Sequence, residues 1–279
     1  MAAIAIDANL FPYSGGLMKT IHTIPAKLYK YLPVRENIFP LILRYTPPGE
    51  LNDPYEVFPN VEVEYTLEEL RKLAEENNIK TTDEHLQKLV KELPGEFRQK
   101  AREDFVKLHK DNGMGILSLT TDPTNLVMWG LYASEHRGIV VELDMSHKFF
   151  WPNKDTTWIR AVKYSTVRPK ATNHQQNERI KDWLFTKSSE WEFENEYRSV
   201  TTKVFDMNAV PGKVGTFHVP HDAISRVYVG LRTEGNFLKS IADYCTDHNI
   251  PWGRMEYHPS EYRLVLPICD FPITYPTQR

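Results

Sequence analysis

Between residues 186 and 200 the chain reads TKSSEWEFENEYRSV, a stretch that places Glu190, Glu192, Glu194 and Glu196 among Trp191, Phe193 and Tyr197, with Lys187 before them and Arg198 behind. A rigid carboxylate can stabilise a developing cation such as a sugar oxocarbenium, and the flanking cations are suited to phosphate. If the segment is one strand, alternate side chains point to opposite faces. Glu192, Glu194, Glu196 and Arg198 then share one face and the aromatic residues share the other, which is the side expected to face the core. The same pattern also fits a solvated strand with a surface Glu196–Arg198 pair.

The residues just upstream favour a site. Seven basic side chains (Arg160, Lys163, Arg168, Lys170, Arg179, Lys181, Lys187) stand against two acidic ones between positions 160 and 187, an excess of +5 in a chain whose net charge is −3. A cationic segment that runs into an acidic strand can grip phosphate with one part and a ribose or a water with the other. A second constellation lies at 125–136. Met128 and Trp129 stand four and three residues before Tyr132 on an expected helix, a surface able to stack on a base or a nicotinamide ring, or to serve as core. Ser118 and Thr120, at the end of the preceding strand, face the loop at the N-terminus of that helix, where an anion is favoured. Asn52-Asp53-Pro54 is turn chemistry that can also present a side chain to a ligand. His218-x-x-His221 and Cys245-x-x-His248 each lack a second pair at zinc spacing, so no metal is expected. No G-x-S-x-G, P-loop or G-x-G-x-x-G pattern is present.

These groups must be carried by a scaffold. A chain of 279 residues with 41% hydrophobic, 12% aromatic and 25% charged side chains has the composition of an ordinary globular protein. Its sign of charge argues against general nucleic-acid or anionic-membrane binding. No apolar run is long enough to span a bilayer, the first residues lack the pattern of a secretory signal, and two cysteines are too few for a disulfide framework, so a cytoplasmic location is expected. Residues 1–26 read as an irregular arm and 27–279 as a single domain. Within that domain, Thr-x-x-Glu capping boxes at Thr66 and Thr81, followed by three apolar stripes, predict a three-helix insertion over about 66–111. Elsewhere, segments such as KLYKYLPV, GILSLTT, GIVVELD, TWIRAVKYS and RVYVG alternate with helical ones. Asp122 with Pro123 is expected to start the helix over 125–136, and Gly138 to end it in a left-handed conformation. The fold class is α+β, with a single mixed sheet of about six to eight strands, flanking helices and the helical insertion.

With these segments in order (LYKYLP, LNDPYE, ILSLTTDPTNLVMWGLYASEHRGIVVELD, VKYS, TKSSEWEFENEYRSV, RVYVG) the chain resembles a prokaryotic family catalogued as domain of unknown function 2971, over roughly residues 27–268 without the insertion. The patterns M-W-x-x-Y-x-x-x-H-x-G and W-x-x-E-x-E-x-R carry most of that resemblance. More distantly, the layout is similar to that of NAD-using ADP-ribosyltransferase domains, some of them bacterial toxins, although the first strand holds no His-x-Thr or Arg. That similarity implies NAD as substrate, with Tyr31 holding the dinucleotide, Trp129 or Tyr132 stacking on nicotinamide, and Glu194 or Glu196 as the catalytic carboxylate. Lys187 and Arg198 would bind the pyrophosphate, and Asn52, Asp53 and Ser118 would complete the nucleotide site. The function expected is an NAD-consuming transferase or glycohydrolase, as in a defence effector or toxin, acting on a small nucleotide with a protein or nucleic-acid acceptor and no membrane partner. Two other readings stand beside it: a non-enzymatic binding or interaction module, and a metal-dependent nuclease using Asp53, Glu56, Glu194 and Glu196 with Lys187.

Overall fold

Period-two alternation of apolar and polar residues builds a seven-stranded mixed sheet. Its strands are β1 (Lys27–Leu32), β2 (Gly115–Thr120), β3 (Ile139–Asp144), β4 (Thr157–Ala161), β5 (Glu196–Thr201), β6 (Ile224–Val229) and β7 (Trp252–Arg254), in the order β7-β6-β3-β1-β2-β5-β4. All neighbours are antiparallel except the parallel pair β6–β7. The structure is a computed structural model that describes residues 24–62, 66–92, 107, 113–151, 157–172, 180–202 and 204–266. The expected α+β architecture with one main sheet is what it shows. Among the described residues no helix is long and apolar enough to cross a membrane.

The chain forms two compact units. One gathers residues 20–47, 113–162 and 190–279 and contains the whole seven-stranded sheet; the other gathers 1–19, 48–112 and 163–189. In the second, helices α1 (Leu67–Glu76) and α2 (Asp83–Glu92) are joined by a two-pronged Arg71–Asp83 ion pair. Thr66 and Glu69 close the expected capping box in both directions. At the next helix the cap is Thr82 rather than Thr81: its hydroxyl accepts the His85 N–H, so α2 begins one residue later than the Thr81–Glu84 box implies. The third expected helix, with Phe97, Ala101, Phe105 and Leu108, and most of the 1–26 arm lie outside the described residues. This unit also pairs Asn60–Glu62 with Lys170–Thr172, and Lys163–Ser165 with Thr186–Ser188, both in parallel.

The two faces of the seven-stranded sheet differ in chemistry. One carries Leu28, Leu32, Leu117, Leu119, Ile139, Val141, Leu143, Ile159, Val227 and Val229, the centre of the larger apolar core, to which helix Gly235–Asp247 adds Ile241 and Cys245. The opposite face carries Tyr29, Tyr31, Ser118, Thr120, Glu142, Glu196, Arg198, Arg226 and Tyr228, by the alternation within each strand. A smaller cluster of Tyr31, Met128, Trp129, Val140, Tyr228, Met255 and Leu264 covers part of this polar face, with helix α3 (Leu126–Tyr132) contributing Met128 and Trp129.

Helix α3 starts and stops differently from the expectation. Its cap is Asn125, whose Oδ1 accepts the N–H groups of Val127 and Met128, while Asp122 closes a tight turn on Thr124 before the helix. At its other end the left-handed residues are Ser134, Glu135 and His136, not Gly138. Gly138 is needed for a steric reason: a Cβ there would lie 2.2 Å from the Leu32 carbonyl oxygen and 3.0 Å from Ala133 backbone. Both neighbours are main chain and cannot step aside. Gly138→Ala is therefore expected to destabilise this unit by about 1–3 kcal/mol, the usual cost of overpacking, measured as a lowered urea midpoint. An unchanged midpoint would refute the close approach of this turn to β1.

Candidate active site

The carboxylate-rich segment is not one strand. Ser189–Glu194 winds as a 3-10 helix, Asn195 turns the chain with a φ of 44°, and only then does β5 begin at Glu196. Asn tolerates the left-handed region because its short side chain bonds locally. The break takes Glu192 and Glu194 off the face that Glu196 and Arg198 share, correcting the four-residue face expected from alternation.

Burial is also the reverse of the expected pattern. Glu194, Glu196 and Arg198 are 5%, 3% and 0% exposed, whereas Trp191, Phe193 and Tyr197 are only half-buried. A buried charge requires partners. Arg198 meets Glu196 through two N–H groups, Nε and a terminal nitrogen, each 3.1 Å from one carboxylate oxygen. The pair is buried, not solvated. Glu194 is fixed independently: the Tyr132 hydroxyl donates to its Oε1 at 2.6 Å, and the Thr120 hydroxyl donates to its carbonyl oxygen at 2.6 Å. Asn125 joins the same assembly, since the amide that caps α3 also donates to the Phe193 carbonyl at 2.7 Å. Two segments remote in sequence, α3 and the 3-10 helix, are thereby tied together around one carboxylate.

The remaining sequence candidates fall in distinct places. Trp129 is fully buried, its indole N–H donates to the Pro123 carbonyl, and Tyr31 lies edge-on against it at 5.5 Å, so neither ring is open for stacking. The Tyr31 hydroxyl donates to the Asp122 carbonyl, and burial raises its pKa. Ser118 stands in register with Arg198 on the polar face. The first amides of α3 that were to receive an anion are taken by Asn125. Tyr31, Ser118, Trp129, Tyr132, Glu194, Glu196 and Arg198 thus belong to the unit with the large sheet, while Asn52, Asp53 and Lys187 belong to the other. There, Asp53 accepts the Tyr55 N–H in a turn, Asn52 is exposed, and Lys187 is buried with its Nζ 3.6 Å from Glu56. Of the basic segment, Arg168 lies over the Tyr55 and Phe58 rings, Arg160 sits in β4 opposite Arg198, and Arg179 is outside the described residues.

The acids weighed for a nuclease divide the same way, Asp53 and Glu56 in one unit and Glu194 and Glu196 in the other. Among the described residues no three His, Cys, Asp or Glu side chains gather as they would round a metal ion. Cys245 lies in the apolar core, and burial pushes its thiol up to about 12. His221 and His248, from the two half-motifs, stack on each other at 4.6 Å.

Sequence reasoning missed Asn125 and a whole polar cluster on the same sheet face. Glu142, 3% exposed, pairs with Lys27 and accepts the Tyr228 hydroxyl at 2.8 Å, with Tyr29 beside it. The period-two pattern of KLYKYL already set Tyr29 and Tyr31 apart from Leu28 and Leu32, which was the available signal. No family model matches the chain, and no curated protein or solved structure does so either.

Proposed function

We propose that the chain is a nucleotide-using enzyme that cleaves the bond between nicotinamide and ribose in NAD, with Glu194 as the catalytic carboxylate. The observation that carries this reading is the fixing of the buried Glu194 by the Tyr132 hydroxyl and by Thr120, at the edge of a polar sheet face. A carboxylate held this way is preorganised for positive charge, and it pays no reorganisation cost when that charge develops. The W-x-x-E-x-E-x-R pattern of the resembled family supports the same residue.

In the reaction, the C1′–N bond breaks and its electron pair leaves with nicotinamide, whose ring becomes neutral. Glu194 stabilises the oxocarbenium-like ribose. A water oxygen then bonds to C1′ and releases a proton, giving ADP-ribose; in the transferase version a nucleophile on a protein or nucleic acid takes the place of water. Tyr132 acts as a positioning residue, because its hydrogen bond orients the carboxylate. Glu196, engaged by Arg198, is a positioning residue as well.

The test is incubation of the purified full chain with NAD and measurement of free nicotinamide, alone and with protein or nucleic-acid acceptors. Release above the uncatalysed rate is expected, and its absence under every acceptor condition would overturn the reading. A non-catalytic nucleotide-binding module is the second reading. It is favoured by the ion pairs of the two cations first assigned to phosphate, Lys187 with Glu56 and Arg198 with Glu196. Binding of NAD without nicotinamide release would select it.

A further inference from the structure

Those ion pairs leave the phosphate charge of a nucleotide to other cations, and the polar sheet face supplies them. Neighbouring strands place Arg226 opposite Glu142, Glu142 opposite Tyr29, Tyr29 opposite Thr120, and Thr120 opposite Glu196. The row therefore runs from β6 to β5 over four interstrand steps, roughly 19 Å at the usual spacing. Its β5 end adjoins Glu194. Its β6 end is organised by Glu142, whose two oxygens are occupied by Lys27 and Tyr228 from β1 and β6.

Two groups at that end have donors to spare. Arg226 is only half-exposed, yet among the described residues it makes no hydrogen bond or ion pair, even though its lateral neighbour is a carboxylate. Lys27 gives one of its three N–H groups to Glu142 and its side chain is 56% exposed. Tyr29 is half-buried and gives its one O–H to Glu142; burial first, and the Glu142 charge second, push its phenol up to about 12, so it braces Glu142 and is not a spare donor. Arg226 lies near enough to both Tyr29 and Tyr228 to oppose those rises.

We propose that Arg226 and Lys27, on either side of Glu142, form a phosphate-binding subsite that takes the phosphoryl groups of a nucleotide. The guanidinium supplies a two-pronged contact to phosphate oxygens, and the ammonium supplies a single one. Glu142 is a positioning residue: it holds Lys27 and does not touch the ligand. The assignment to a nucleotide rests on the reading of Glu194 given above. The site itself requires only a phosphoryl anion.

The experiment is calorimetric titration of the full chain with ADP, inorganic pyrophosphate and adenosine at low salt. ADP and pyrophosphate are expected to bind, adenosine at least about 10-fold more weakly than ADP, and Arg226→Gln to weaken ADP by at least about 10-fold, from the loss of a charge-assisted contact. Arg226→Lys should recover part of that loss, which a misfolded chain would not, and an unchanged thermal midpoint for both variants confirms their fold. Failure of ADP and pyrophosphate to bind, or equal binding by Arg226→Gln, would overturn the proposal. Pyrophosphate binding as tightly as ADP would overturn the nucleotide assignment. Because these titrations involve no turnover, loss of ADP binding in Arg226→Gln sustains the subsite even where nicotinamide release fails, and separates the two readings.

Discussion

Glu194→Gln is expected to lower kcat for nicotinamide release by about 100- to 1,000-fold, the loss typical when one preorganised electrostatic group is removed from a site. The substitution preserves shape. Its amide oxygen can still accept the Tyr132 hydroxyl, now 2.6 Å from Oε1, and the Thr120 contact is to the main-chain carbonyl and is untouched. Stability should therefore change little, and ADP affinity, which depends on the other end of the polar face, should stay within about 2-fold on the same reasoning that distant sites are additive. Tyr132→Phe supplies the graded companion. It keeps the ring and removes the donor to a carboxylate, an interaction worth about 1.5–3 kcal/mol, so kcat should fall by roughly 10- to 100-fold at nearly constant KM. Steady-state nicotinamide release with wild type and both variants checks this. A Glu194→Gln enzyme within a few-fold of wild type would remove Glu194 from the chemistry.

How much of this was legible beforehand depends on what each residue's neighbours in sequence reveal. The continuous apolar run that opens IVVELD located β3, and alternation in KLYKYL and GILSLT located β1 and β2, because period two is set by backbone geometry alone. The same rule failed on EFENEYRSV for two physical reasons. Asn195 adopts a left-handed conformation that ends one element and starts another, and nothing in the alternation records that. Assigning the aromatic side to the core also assumed that charges stay in water, whereas Glu196 and Arg198, two apart on one strand face, satisfy each other and can be buried together. The E-x-R spacing was the visible clue.

Other differences have the same origin in partners remote in sequence. Gly138 stood out as a special position, but its role comes from the Leu32 carbonyl more than a hundred positions earlier rather than from its own φ. Asp122 and Asn125 are both good caps by type, and only the approach of Phe193 to Asn125 decides between them. Glu142 was not singled out within GIVVELD; its partners Lys27 and Tyr228 are supplied by β1 and β6, and no local pattern links the three. Local rules found the elements, and the site was assembled from their pairings.

The buried Glu196–Arg198 pair gives the second large effect, on stability rather than rate. Arg198→Met keeps an unbranched side chain of similar length at a fully buried position but leaves Glu196, 2% exposed at its side chain, without its guanidinium. Breaking a buried pair from one side costs about 3–5 kcal/mol, a large share of the roughly 5–15 kcal/mol that holds a domain folded. Urea unfolding should show that loss directly. The double variant Glu196→Leu, Arg198→Met removes both charges and should recover most of it, since a well-packed apolar pair often matches a buried ionic one. A single variant within 1 kcal/mol of wild type would contradict the burial of this pair. The double variant then separates scaffold from chemistry. If the pair only anchors the start of β5 beside Glu194, the refolded double variant keeps nicotinamide release within about 10-fold, one hydrogen bond's worth of positioning. If Glu196 were itself the carboxylate that faces the ribose, as the sequence alone allowed, restored stability would come with no restored turnover, and the assignment would pass from Glu194 to its neighbour on the strand.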